Sequence, residues 1–192
     1  MIKTLAAAFG LSLALSIPAS ALTFSATLSG GQEAPTPVVT GGTGTALATY
    51  DEIANSLRVE LSFSGLSANA SDAHIHCCGT TAVAVGVAIG FSAAGFPLGV
   101  TSGTYDHVFD LGNTSTYTAG FLTNFGGGTA NGARDALLLA MGATNSSSRA
   151  YFNIHTSAFP GGEIRGNIVP EPATALLLWS GLMAVAFLRR VR

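Results

Sequence analysis

The chain is poor in charge and poorer still in lysine. Charged residues make up 9% of its 192 positions, where a soluble domain carries roughly a quarter. Its one lysine, Lys3, stands near the N-terminus, and residues 22–169 contain none. In that stretch four arginines (Arg58, Arg134, Arg149, Arg165) meet nine acids, a formal balance of −5. A lysine-free acidic domain does not neutralise phosphate backbones, so nucleic acid is excluded as a partner. No Gly-x-Ser-x-Gly elbow presents a serine nucleophile. The carboxylates are scattered, without the pairing that glycosidic cleavage needs. The glycine run at 41–44 has no lysine for a phosphate loop and reads as a hairpin approach. Asn69, Asn113 and Asn145 fit the N-x-[ST] pattern, which chance supplies often. These absences point to a binding or structural protein rather than an enzyme.

The two ends read as addresses. Lys3, an apolar stretch at 5–17, Pro18 and the small residues Ala19-Ser20-Ala21 form a signal helix and cleavage site over 1–21. At the other end an uncharged run, 173–188, is closed by Arg189, Arg190 and Arg192. At 1.5 Å per residue it spans roughly 24 Å, slightly short of a hydrocarbon core of about 30 Å. Flanking residues and an untilted helix cover the deficit, so a transmembrane helix is expected there. The basic end stays cytoplasmic and residues 22–169 face outward. Pro170-Glu171-Pro172, the apolar run and Arg189-Arg190 together resemble the PEP-CTERM sorting signal of Gram-negative bacteria. That resemblance implies export by the secretion translocon and inner-membrane anchoring, then cleavage near 170–172 by an exosortase. Delivery to the cell surface follows, often beside exopolysaccharide. The signal occupies 170–192 and leaves 22–169 as one domain of ordinary size, able to bury a core.

That middle is glycine-rich and alternates. Residues 23–28 set Phe24, Ala26 and Leu28 against Thr23, Ser25 and Thr27. Strands are also expected over 43–50, 57–63, 73–76, 104–111, 149–155 and 163–169, the first two of these joined as a hairpin by the polar turn at 51–56. Residues 82–91 read as a strand or a loose loop. A helix is expected over 133–141 and a long loop over 121–132. With no internal repeat and no alternating helices, the expected class is an all-β, antiparallel Greek-key sandwich or barrel.

Alternation also sorts the polar residues. Asp72, His74 and His76 share one strand face, as do Asn153 with His155 and Glu163 with Arg165. If these strands neighbour one another, Asp72, Glu163 and Arg165 form a polar patch with the three histidines. Two readings fit it. Two imidazoles at i and i+2, completed by His155, make a copper or zinc site with water or Cys77 as fourth ligand. Alternatively the same groups form a structural hydrogen-bond network. The adjacent Cys77 and Cys78, in an oxidising compartment, suit a vicinal disulfide or a pair of soft ligand thiols. His107 is a lone surface histidine.

Two blocks carry a family resemblance. The first runs from Ala26-Thr27-Leu28-Ser29-Gly30-Gly31-Gln32-Glu33-Ala34-Pro35 to Ala73-His74-Ile75-His76. The second runs from Tyr151-Phe152-Asn153-Ile154-His155-Thr156 to Gly162-Glu163-Ile164-Arg165-Gly166. Together they resemble the CHRD domain of chordin and of many bacterial secreted proteins. The resemblance implies an extracellular all-β module, protein-binding in chordin, and no fixed enzymatic reaction; the sparse charge and Thr/Ser-rich strands fit a structural or adhesive role toward a surface protein or exopolysaccharide. Cys77-Cys78 departs from it, standing where many members have Gly-Pro.

Overall fold

The computed structural model describes residues 21–80, 82–142 and 149–171. The signal helix expected before Ala21 lies outside these residues. So do Pro172, the apolar run 173–188, Arg189 and Arg190. Among the described residues no helix is long and apolar enough to cross a membrane.

Nine strands form one sheet, and every pairing between neighbours is antiparallel. In chain order they are β1 (Leu22–Ser29), β2 (Thr43–Asp51), β3 (Ser56–Ser64), β4 (Ala70–Cys77), β5 (Val87–Gly90), β6 (Gly103–Asp110), β7 (Ala150–Thr156), β8 (Ile164–Asn167) and β9 (Val169–Pro170). Across the sheet they run β5-β4-β7-β8-β1-β2-β3-β6, with β9 beside β1. The sheet curls into a half-barrel. Phe91, just past β5 at one edge, lies 5.3 Å from Tyr105 and 5.7 Å from Phe109 on β6 at the other. The antiparallel all-β class is therefore found as a single sheet whose two halves face across one core. The links from β3 to β4, from β5 to β6 and from β6 to β7 pass between those halves.

Strand alternation sets the inner face. Phe24 and Leu28, Leu57 and Val59, Ala73 and Ile75, and Phe152 and Ile154 are all buried, each with an outward residue between. The expected hairpin joins β2 to β3 with Asp51 opposite Ser56. Asp51 Oδ1 accepts the Ile53 and Ala54 N–H groups at 2.9 Å, and Asn55 turns the chain at φ 50.

Two helices close over the core. The α1 helix (Ala119–Asn124) and the α2 helix (Ala130–Ala140) begin at threonine caps, Thr118 accepting from Phe121 N–H and Thr129 from Gly132 N–H. The loop expected over 121–132 is thus overturned, because a short helix was hidden among glycines. Gly127 and Gly128 have φ of 57 and 77, and the true loop lies only between the helices. The strand expected over 163–169 divides at Ile168 into β8 and β9, while 82–91 yields strand only at β5.

Candidate functional site

The outer face of β4 and β7 gathers the histidines. Register places Asp72 opposite His155, His74 opposite Asn153 and His76 opposite Tyr151. His74, His76 and His155 each offer one ring nitrogen, and these three atoms lie within 4.8 Å of one another. His76 is buried at 8% exposure, while His74 and His155 are half-buried.

Each imidazole is oriented by an acceptor behind it. His74 Nε2 lies 2.8 Å from Asp72 Oδ2. His76 Nδ1 donates to the Val85 carbonyl at 2.7 Å, and His155 Nδ1 donates to the Pro160 carbonyl at 2.8 Å. A carboxylate and two carbonyls only accept, so each of these nitrogens carries the ring proton. The opposite nitrogens then point bare lone pairs at a common centre. His74 Nδ1 and His155 Nε2 approach to 3.3 Å, and the buried His76 Nε2 has no hydrogen-bond partner. A proton would relieve that convergence, but burial opposes it. Burial holds His74 below its ordinary pKa despite Asp72, and pushes His76 down to about 4 against the pull of Val85.

The rest of the setting rests on His76. Tyr151 stacks on its ring at 4.7 Å and 6°. Arg165, fully buried, holds its guanidinium 3.4 Å from the Tyr151 ring centre and donates to the Val83 carbonyl. The Tyr151 hydroxyl accepts the Val85 N–H at 3.1 Å. Residues 82–86 thereby lie as a strap over Tyr151 and His76. Asp72 Oδ1 receives the Ser92 hydroxyl and the Ala73 N–H. Burial raises the Asp72 pKa, but these donors and His74 outweigh it and keep the carboxyl below its ordinary value.

The sequence-derived patch divides. Asp72 joins the histidines, and Arg165 reaches them through Tyr151. Glu163 does not join them, because its carboxylate takes the Thr40 hydroxyl at 2.5 Å and the Ser67 N–H and Thr156 hydroxyl at 2.7 Å. It ties two loops to the end of β7 instead. Cys77 and Cys78 are joined as a disulfide. Strand parity turns Cys77 into the hydrophobic core, and Cys78 Sγ faces Ala136 on α2. Neither sulfur is a fourth ligand for the histidines. His107 lies on β6, in the half of the sheet away from them.

Sequence reasoning passed over Tyr151, although alternation from His155 through Asn153 leads to it. Glu33 gave no such signal. It is 6% exposed, receives Asn153 Nδ2 at 3.4 Å, and is pushed by burial up to about 7 despite Asn153 and Arg165. Gly162, at φ 124, makes that approach fit, since a Cβ there would come within 2.8 Å of both Glu33 and Asn153. The Val85 and Pro160 acceptors are main-chain atoms and leave no mark in sequence.

No curated protein and no solved structure matches the chain. The CHRD domain, however, matches residues 24–168, from the third residue of β1 to the residue that divides β8 from β9. The span takes in the histidine strands and the loops that cover them, and the chain belongs to the CHRD domain family.

Proposed function

We propose that this chain is an exported CHRD module that carries one transition-metal ion, copper or zinc, on His74, His76 and His155. The observation that carries the reading is the 3.3 Å separation of His74 Nδ1 from His155 Nε2. With metal–nitrogen bonds of about 2.0–2.1 Å, the edge of a tetrahedral site is about 3.3 Å. The preorganised pair already has that spacing, and His76 Nε2 lies within reach of it. Acceptors behind all three rings are the supports that metal-binding imidazoles require, and they raise ligand basicity. When bound, the ion supplies a positive centre for three buried lone pairs. The chain supplies the orientation, the neutral tautomers and a strap that excludes water from His76.

The addresses at the two ends support delivery outside the cytoplasm. Leader cleavage after Ala21 frees β1, and exosortase processing near 170–172 cuts where the sheet ends. Pro170 pairs with Phe24, and the Glu171 N–H donates to the Thr23 carbonyl, so the first two residues of the sorting motif lie against β1. Anchoring in the inner membrane precedes release to the cell surface. A structural or adhesive role there, toward exopolysaccharide or a surface protein, would use the Ser/Thr face of the sheet. The metal reading takes precedence because it accounts for buried polar atoms that an adhesive role leaves without purpose.

The test is elemental mass spectrometry on the exported chain, purified without an affinity His-tag, beside the His74→Ala/His76→Ala/His155→Ala variant. Copper or zinc near one per chain is expected in the wild type and absent from the folded variant. A folded wild type that takes up neither metal overturns the reading and moves the function to the Ser/Thr face. Intact mass from the same sample reads the addresses. A start at Leu22 and an end near 170–172 are expected, and a full-length chain counts against both.

A further inference from the structure

The metal-binding types of side chain can all be accounted for. Every histidine, cysteine and acidic residue of the sequence falls within the described residues. Only three of them converge. Asp72, the nearest carboxylate, has one oxygen on His74 and the other shared by Ser92 and Ala73. Glu163 is held by Thr40, Ser67 and Thr156, and Glu33 lies beyond Asn153. The two sulfurs are joined to each other on the core side. The Tyr151 ring lies flat on His76 while its hydroxyl is engaged by Val85. A site with tetrahedral spacing therefore has three protein ligands and no fourth of these types.

Exposure shows where the remaining position lies. The buried His76 and its strap close one side of the site. His74 and His155 are half-buried, so the other side of the site meets solvent. Structural metal sites are closed by four protein ligands, whereas sites that exchange ligands retain an open one.

Resting on the metal reading above, we infer that the bound ion keeps one coordination position for a small exogenous donor, water or a monodentate anion, on the side where His74 and His155 meet solvent. The centre is then one of ligand exchange rather than a structural staple.

The experiment uses the exported chain loaded with one copper(II) per molecule and titrated with sodium azide. An azide-to-copper charge-transfer band that grows and saturates is expected, with a change in the copper electron paramagnetic resonance spectrum. The Asp72→Asn variant, whose weaker acceptor behind His74 should lower copper affinity roughly 10–100-fold, should still show the azide band once it is loaded with copper. A copper-loaded protein whose spectra azide does not alter overturns the inference while leaving the metal reading intact. A band that appears only in Asp72→Asn also overturns it, since the Asp72 carboxylate would then be the fourth ligand. Failure to load copper or zinc at all is a failure of the metal reading itself, and both ideas fall with it.

Discussion

The two halves of the sheet share one core but differ on their outer faces. On β1, β2, β3 and β6, register aligns Thr27, Thr45, Ser62 and Thr104 in one row across four strands, all exposed. Beside that row lie Arg58, Glu60 and Asp106, paired in solvent. On β4, β7 and β8 the equivalent face carries His74, His76, Tyr151, Asn153, His155 and Arg165, covered by residues 82–86, the turn at 157–162 and the Glu33 loop. Water satisfies hydroxyls on the open half at no cost. The covered half must satisfy its polar atoms internally, and it does so incompletely. Glu33 Oε1, His76 Nε2, Asn153 Oδ1 and Asn167 Oδ1 all lack partners there. Each is an acceptor or lone-pair site, which is why that half calls for a cation or a proton.

The largest expected effect follows from the contrast between two arginines. Arg165 is fully buried against Tyr151 with Glu33 nearby, whereas the Arg58 side chain is 48% exposed. Arg165→Ala removes a buried cation and leaves its surroundings uncompensated, at a cost of about 3–5 kcal/mol. Chemical denaturation reads this directly. A loss of less than about 1 kcal/mol would mean that the covering loops do not exclude water, and the contrast between the halves would collapse.

A smaller effect tests the proton side of the same half. Glu33 is pushed up to about 7 in the fold, from a usual 4.5, with Asn153 and Arg165 facing it. A carboxyl whose folded pKa is raised contributes stability that is whole below about pH 4.5 and is lost as pH rises through about 7. Ionised, Glu33 Oε1 faces Asn153 Oδ1 with two unshared acceptors. Protonated, it has an O–H to donate. Glu33→Gln is therefore expected to be more stable than wild type at pH about 8, by on the order of 2 kcal/mol, with the gap closing toward pH about 5. Denaturation midpoints across that range decide it. Parallel pH profiles for the two proteins would remove Glu33 from the account.

How much of this was legible depends on which atoms did the work. Alternation alone gave β1 through β3, β6 and β7 to within a residue at each end, and the second half of β4, because one face of each is buried and a slip by one residue would expose it. Alternation likewise put Asp72, His74 and His76 on one face, and only strand order was needed to bring His155 beside them. Glu163 was misassigned because it precedes β8 at the Gly162 turn, where strict alternation has not begun. Cys77 stood beside water as a possible fourth ligand through its proximity in sequence, although adjacent strand residues point to opposite faces; the vicinal disulfide, the other reading of the pair, is the one found. The short α1 helix was missed because three glycines follow it closely. Val85 and Pro160 act through carbonyls, which every residue has, so nothing in the sequence distinguishes them.

The smallest effect belongs to the open half and tests whether it is open. Arg58 makes two hydrogen bonds to Asp106, at 2.9 and 2.6 Å, across the β3–β6 pair, with Glu60 at 3.1 Å. Geometry this good suggests strength, yet both side chains are about half exposed. Solvent screens their attraction, and holding two long side chains in place costs entropy. A double-mutant cycle with Arg58→Ala and Asp106→Ala is expected to give a coupling barely above the error of the denaturation measurements. It should fall further as salt is raised past about 0.15 M, where screening acts within about 8 Å. A coupling several times that error which salt leaves unchanged would place the pair out of water. The hydroxyl row beside it would then be covered in solution, and the face read here as open would be an interface.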